Sequence, residues 1–297
     1  MSCVSFIFPE NGISGPKHIG FATAEILAQH HCDVVLVDCN RETLYRAQEQ
    51  LSSYGGKVYA YVCDVRDEQA VNEVVEDVLA KSRRIDILVN NAGIFRNDMM
   101  PFAEPKSEFW KKKIDINIMG TLYFTRAVVN HMMENHYGRI INIGSVAAVY
   151  GITNMVDYSM TKGAIVSFST ALAKECAPYN VLVNTVSPGN IDDDINRNPG
   201  LSFVNRSGTP KECAQIIAFL ASNEASYISG QNYVIDEYRK KCKVRRADPF
   251  RRLSVLVYLL KLLLRQDSPF GERFIHCKAQ NFVERTFFDL LVFHGFL

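Results

Sequence analysis

The chain predicts an α/β protein built on a doubly wound parallel sheet with helices on both faces, followed by a C-terminal extension of different character. Three observations carry that expectation. From residue 4 to about residue 236, short apolar runs alternate with amphipathic stretches, the pattern of successive strand–helix units. Runs such as Val34-Val35-Leu36-Val37 are continuously apolar rather than alternating, as expected for strands covered on both faces. The chemistry-bearing residues stand just after these runs, where parallel sheets gather their ligands.

In order, the strands are expected at Val4–Phe8, Asp33–Asp38, Val58–Cys63, Ile85–Asn90, Arg139–Gly144, Val181–Ser187 and Tyr233–Asp236. Helices are expected at Gly20–His31, Arg41–Ser53, Glu68–Ser82, Ser107–His136, Val156–Ala177 and Pro210–Ser222. The last of these has a clear start, with Thr209 as cap, Pro210 at the first position and Glu212 closing a capping box. No internal repeat is visible.

The composition is that of an ordinary globular protein, with 47% hydrophobic and 22% charged residues over 297 positions. The net charge of +1 makes no case for nucleic acid. It is unevenly spread: residues 239–297 carry 13 Lys/Arg against 5 Asp/Glu, so the preceding part is net negative. The expected organisation is therefore a domain over 1–238 and a basic, apolar and helical extension over 239–297. Eight cysteines show no Cys-x-x-Cys pair, which favours a reduced, cytoplasmic protein over a disulfide scaffold or zinc site. The seven histidines are scattered without companion ligands, so no metal is expected. No run reaches the ~20 apolar residues of a membrane-spanning helix, and the start lacks the basic n-region of a signal peptide.

The stretch from Ser145 to Lys162 organises the functional reading. Tyr158 and Lys162 are four residues apart, hence one turn apart on one helix face. Ser145 follows the apolar run Arg139–Gly144, so a strand end presents a hydroxyl towards a phenol and an ammonium. A nearby Lys cation favours phenolate over phenol, and a phenol tuned towards neutral pH suits proton transfer at a carbonyl or alcohol. Two further features suit a nucleotide. Glycines 12, 15 and 20 surround a turn into a helix start, where a pyrophosphate can sit. Asp38 closes the second strand, where a carboxylate can accept hydrogen bonds from a ribose diol and repel a 2′-phosphate. NAD is thereby favoured over NADP.

With these pieces the chain resembles the short-chain dehydrogenase/reductase family over residues 4–236, with a Rossmann-like fold. The matching residues are Cys63-Asp64-Val65, Asn90-Asn91-Ala92-Gly93, Asn117, Ser145, Tyr158-x-x-x-Lys162 and Ser187-Pro188-Gly189. The resemblance implies hydride transfer between a nicotinamide cofactor and an alcohol or carbonyl, with the ketone's identity (3-oxoacyl, sugar or steroid-like) unresolved. By position it makes Tyr158 the proton donor and acceptor, Ser145 a hydrogen-bond donor to the substrate oxygen, and Lys162 the tuner of Tyr158 and a partner of the nicotinamide ribose. Asn117 holds a relay water. Asp64 and Val65 border the adenine, Asn91, Ala92 and Gly93 support the cofactor, and the backbone after Pro188 and Gly189, around Ile191, faces the carboxamide. Phe95, Val146, Tyr150, Ile152 and Met155, with Ile94, are the expected pocket residues around Ser145. The resemblance also implies a homodimer or homotetramer through the helices at 107–136 and 156–177.

The sequence departs from the family in three places. Aligning Ser14-Gly15 with the family's Thr-Gly leaves the glycine loop one residue short, and aligning Gly12 leaves it two long. In both cases His18, just before Ile19-Gly20, replaces the middle glycine. After Gly189, Asp193 within Asp192-Asp193-Asp194 replaces a frequent Thr, and a solvated acidic run is the favoured reading. Beyond Ile235-Asp236 the text reads Glu-Tyr-Arg-Lys-Lys where the family has Gly-Gly, and some 60 residues follow. The altered loop and the added tail together support a rival reading, a nucleotide-sensing or scaffold protein of weak catalysis. The tail's basic stretch followed by Leu253–Leu264 suits docking on a protomer more than contact with an anionic membrane surface.

Overall fold

The structure, a computed structural model, describes residues 4–7, 18–95, 100–104, 106–197 and 199–237. The expectations for Gly12, Ser14, Gly15 and residues 239–297 lie outside the described residues.

Seven parallel strands form one sheet in the order β3-β2-β1-β4-β5-β6-β7. They are β1 (Val4–Ile7), β2 (Asp33–Asp38), β3 (Val58–Val62), β4 (Ile87–Asn90), β5 (Gly138–Ile143), β6 (Val181–Pro188) and β7 (Asn232–Ile235). The order reverses between β1 and β4, which makes their carboxyl ends a topological switch point. Every strand expected from the sequence is present, with ends that differ by one or two residues, as hydrogen-bond definitions commonly do.

The helices are α1 (Ile19–Gln29), α2 (Arg41–Leu51), α3 (Glu68–Ser82), α4 (Ser107–Ile114), α5 (Gly120–Glu134), α6 (Val146–Tyr150), α7 (Val156–Cys176) and α8 (Pro210–Ala221). Alternate residues of β2 serve opposite faces. Val34 and Leu36 join a core with Leu27 of α1, Leu44 of α2 and Ile217 of α8. Val35 and Val37 join another with Val71 and Val75 of α3, Phe124 and Val128 of α5, and Ala173 of α7. A continuous apolar run is thus required at β2, because neither face meets water. The capping box at α8 forms as expected, with Thr209 and Glu212 bonding each other's backbone N–H.

Two expectations are corrected. Residues 107–136 do not form one helix: a π turn over Asp115–Met119 separates α4 from α5. Such a turn fits one extra residue into the helix, and here the residue turned inward is Asn117, 1% exposed. The short helix α6 was also not foreseen. Ser145 caps its start and Gly151, at φ +66°, ends it. One turn and a half is too short to leave a periodic signature in sequence.

Candidate active site

Tyr158 and Lys162 lie in the first turns of α7, which begins beside the carboxyl end of β5. Both are buried, at 8% and 3% exposure. The Lys162 Nζ donates to the carbonyl of Ile143, the last residue of β5, at 2.8 Å. It also stands 5.9 Å from the centre of the Tyr158 ring. Tyr158 packs with Ala147 and Met155, with Ile152 against the group, and the Phe95 ring lies 6.0 Å away at 60°. Val146, the first residue of α6, is buried, whereas Tyr150 at its far end is exposed.

Between Ile143 and Ser145 stands Gly144, and a Cβ there would lie 2.4 Å from the Ser187 Oγ of β6. Only glycine lets the β5 end run this close to β6. Ser145 follows, 7% exposed, with its Oγ accepting the Ala147 N–H at 3.1 Å. That bond occupies a lone pair and leaves the hydroxyl proton to be donated elsewhere.

Asn117 reaches the same place from the π turn. Its Oδ1 accepts the Ile94 N–H at 2.7 Å, and its Nδ2 donates to the Ile94 carbonyl at 3.0 Å and to Thr161 Oγ1 at 3.0 Å. Thr161 in turn donates to the Tyr158 carbonyl at 2.9 Å. A Cβ on Gly93 would meet the Lys162 Nζ at 3.3 Å and Asn117 Oδ1 at 3.4 Å. Asn117 and Tyr158 are therefore linked through Thr161, Lys162 is anchored on Ile143, and Ser145 joins through Ala147, which packs on Tyr158.

Thr161 was not singled out from the sequence, nor was a buried ion pair beside it. Lys113 of α4 and Asp157 of α7 meet at 2.5 Å with side chains only 11% and 12% exposed. The other oxygen of Asp157 accepts the backbone N–H of Tyr158 at 2.8 Å. Neither Lys113 nor Asp157 left a signal in the sequence, since a lone charged residue in a helical pattern ordinarily reads as solvated surface.

On the far side of the switch point, Asp38 closes β2 and is 6% exposed. One carboxylate oxygen accepts the Asn40 N–H at 2.7 Å, while Oδ2 is buried with no partner among the described residues. Burial pushes this carboxyl above the ordinary range, and the Asn40 N–H pulls it partly back. A buried carboxylate oxygen left without a donor is costly, and a diol presented at the strand end would satisfy it. His18 is the N-cap of α1 with extended backbone, its side chain makes no cap bond, and its Nε2 is likewise buried without a partner. Ile19 and Gly20 open that helix and are buried. Asn91 and Gly93, in the turn after β4, are buried, with Ala92 half-buried. Asp64 is already held by Arg66, whose guanidinium keeps its carboxyl below the usual range, and Val65 beside it is half-buried. The unpartnered Oδ2 of Asp38 at the end of β2, beside the switch point, fits the ribose of a dinucleotide.

Pro188 ends β6, and the N–H of Gly189 just beyond donates to the Ile235 carbonyl at 2.9 Å. The segment beyond folds back on itself: Ile191 bridges Gly208, and Asp192 N–H donates to the Gly208 carbonyl at 2.8 Å. Asp193 and Asp194 are exposed, as expected of a solvated run, and Asp192 pairs with Arg197. Under this segment lies a cavity of about 590 Å³ whose lining includes Tyr150, Ile191, Leu201, Val204, Arg206 and Ile235. Among the described residues no helix is long and apolar enough to cross a membrane, and no group of His, Cys, Asp and Glu could hold a metal ion.

A parallel sheet with a topological switch point and a Ser–Tyr–Lys–Asn cluster at the carboxyl end of β5 belongs to an α/β oxidoreductase acting on CH–OH groups. A family model described as enoyl-(acyl carrier protein) reductase matches residues 12–237, and the chain belongs to the short-chain dehydrogenase/reductase family. It is 37% identical over 227 residues to the 3-oxoacyl-(acyl-carrier-protein) reductase FabG of Thermotoga maritima, covering 73% of this chain and 92% of that one. It is 32% identical over 233 residues to the cyclopentanol dehydrogenase of Comamonas testosteroni, covering 75% of this chain and 92% of the relative. Among solved structures, NAD+-bound xylitol dehydrogenase superposes with a TM-score of 0.73 at 31% identity, covering 80% of this chain and 98% of that chain. ElxO with NADP bound reaches the same TM-score at 28% identity, with the same shares covered.

Proposed function

We propose that the chain is a nicotinamide-dependent dehydrogenase or carbonyl reductase interconverting a secondary alcohol and a ketone, with Tyr158 moving the proton. The observation that carries this reading is the buried Lys162 held by Ile143 at 2.8 Å next to the Tyr158 ring. A cation held beside the phenol favours the proton leaving it during reaction. In the oxidative direction the Tyr158 phenolate takes the hydroxyl proton of the alcohol. In the reductive direction the phenol returns it to the carbonyl oxygen. Ser145 donates its remaining O–H to the same oxygen, which stabilises the charge developing there. The bound nicotinamide supplies the two-electron redox chemistry.

Asn117 acts chiefly as a brace. Its side-chain amide donates twice and accepts once, with Ile94 and Thr161 as partners, and its backbone carbonyl accepts Thr121 Oγ1 at 3.1 Å. Asp38 would receive the adenosine ribose hydroxyls, which favours NAD over NADP because a 2′-phosphate would confront its carboxylate. His18, Ile19 and Gly20 would meet the pyrophosphate at the start of α1 together with Gly12, Ser14 and Gly15. Asp64, Val65, Asn91, Ala92, Gly93, Pro188, Gly189 and Ile191 would line the rest of the cofactor groove, with Lys162 also bonding the nicotinamide ribose. We assign residues 1–238 to this domain and 239–297 to an extension of separate role. Homo-oligomerisation through the α4–α5 and α7 faces and a cytoplasmic location, consistent with buried thiols at Cys32, Cys63, Cys176 and Cys213, complete the reading.

The test measures NADH consumption with a panel of ketones, beside calorimetric titration of NAD and NADP. Tyr158→Phe is expected to lose ~10²–10⁴-fold in kcat, the span of general acid–base catalysis, with cofactor affinity kept. Equal background rates for the wild type and Tyr158→Phe on every ketone would sink the reading, and tight NAD binding without turnover would favour the nucleotide-sensing alternative.

A further inference from the structure

Helix α4 buries a lysine. Its neighbours Lys111 and Lys112 face water, whereas Lys113 is 8% exposed. The Lys113 ammonium donates to Asp157 Oδ2 at 2.5 Å, where α4 packs on α7. Exchanging a buried pair for apolar residues of similar volume is often neutral or stabilising. Stability alone therefore does not account for two charges at this place.

The position of Asp157 does. It stands in the first turn of α7, whose cap residue, Met155, makes no side-chain bond to the N–H groups that open the helix. Those groups lack intrahelical acceptors. Asp157 supplies one, its Oδ1 accepting the N–H of Tyr158 at 2.8 Å. One carboxylate thus divides its oxygens between a cation on α4 and the backbone of the proton-transfer residue. Its charge matters too. Tyr158 has the Lys162 cation 5.9 Å from its ring centre, while Phe95, Ala147 and Met155 pack on it as apolar contacts. An unpaired carboxylate on the adjacent residue would oppose Lys162, because a nearby anion disfavours a phenolate.

We propose that Lys113 and Asp157 are positioning residues for Tyr158: Asp157 ties its backbone to α4, and Lys113 cancels the negative charge that this tie would bring beside the phenol. The inference rests on the dehydrogenase reading above and deepens it by two residues that touch neither substrate nor cofactor.

The experiment titrates Tyr158 in the full-length protein without substrate, as the phenolate absorbance difference between each variant and the same variant carrying Tyr158→Phe. Profiles of kcat and KM against pH, with saturating nicotinamide nucleotide and a ketone, are recorded beside it. Lys113→Met leaves the carboxylate bare, and the Tyr158 midpoint is expected to rise by about half a pH unit or more. Asp157→Asn keeps an oxygen for the Tyr158 N–H and leaves the ammonium bare, so the midpoint is expected to fall by a similar amount. Lys113→Arg restores the cation and is expected to return the midpoint to the wild-type value. Lys113→Met/Asp157→Leu carries neither charge and keeps the test open where a single variant fails to fold. Its midpoint is expected near wild type, with kcat ~10-fold lower and KM little changed, because the Tyr158 N–H has lost its acceptor.

Midpoints unchanged in both single variants, or moved in the same direction in both, overturn the inference, as does a double variant with wild-type kcat. A pair that only docks α4 would lower thermal stability and leave every midpoint in place. Opposite shifts in a protein that reduces no ketone would sustain the inference and sink the dehydrogenase reading instead.

Discussion

Replacing Lys113 by Met removes the charge but keeps the length of the stem, and it should be among the most damaging single changes away from the reacting groups. In the wild type the Lys113 ammonium meets Asp157 at 2.5 Å, and the two side chains are only 11% and 12% exposed. The variant leaves the Asp157 carboxylate buried against α4 with one backbone N–H as its remaining bond. Breaking a buried pair by deleting one partner costs ~3–5 kcal/mol, whereas replacing both by apolar residues is often neutral. The small residual exposure places this pair at the lower end, at about 3 kcal/mol. For a domain of this size ~1 kcal/mol moves Tm by ~2–4 °C, so Lys113→Met should melt ~6–12 °C lower. Lys113→Met/Asp157→Leu should recover most of that loss. Thermal and urea unfolding of the wild type, both singles and the double close the cycle. A double variant less stable than either single, or singles within ~0.5 kcal/mol of wild type (the range of ordinary surface changes), would refute the argument. Because Asp157 also fixes the Tyr158 backbone, the single variants should lose kcat more than they raise KM, and Lys113→Arg should restore part of it.

Three other outcomes follow from local geometry. In the proposed nucleotide site Asp38 would accept from both ribose hydroxyls only when ionised, and burial holds its carboxyl above the usual range. Cofactor affinity measured by calorimetry should therefore weaken as pH falls through that raised pKa, while Asp38→Asn should show a flat profile and a weaker preference for NAD. Gly144→Ala places a Cβ 2.4 Å from Ser187 Oγ, and urea titration should show a loss of ~1–3 kcal/mol, the scale of overpacking. Arg206 and the Thr209 N–H hold Glu212 down at about 2. A depressed acid stabilises the fold above its unfolded pKa, so this contribution is complete above ~4.5 and is lost as pH falls towards 2. The pair is part-exposed, so the effect is at most ~1 kcal/mol, and acid unfolding of Glu212→Gln should lack it.

The strands were legible because burial on both faces leaves a continuous apolar run, as at Val34–Val37, which solvent-facing positions cannot imitate. Tyr158 and Lys162 were legible because a helix converts a spacing of four into a shared face. The π turn was not. Its inward residue, Asn117, is polar, and a polar residue in a helical pattern reads as a solvent-facing one. What turns it inward is the backbone of Ile94, 23 residues away, a partner that no local pattern reports. Lys113 and Asp157 were invisible for the same reason: each alone is an ordinary charged helix residue, and only the packing of α4 on α7 makes them a buried pair. The lone oxygen of Asp38 lay between these cases, since strand-end position was readable but its burial was not.

Those unreadable contacts bear on how α7 is held. The start of the helix is tied to β5 through Lys162 and Ile143, to the π turn through Thr161 and Asn117, and to α4 through Asp157 and Lys113. Each tie reaches a different element, so no single one fixes the orientation of Tyr158. Asn117→Ala removes one tie and leaves the Ile94 N–H and carbonyl without their side-chain partner. Lys113→Met removes another, at Asp157 one turn before Thr161 on the same helix. If the ties orient Tyr158 jointly, the kcat losses of the two variants should be non-additive when combined, as expected for residues acting on one shared element. Strictly additive losses would instead mean that each acts locally, and that the packing of Ala147, Ile152 and Met155 around the Tyr158 ring alone sets its direction.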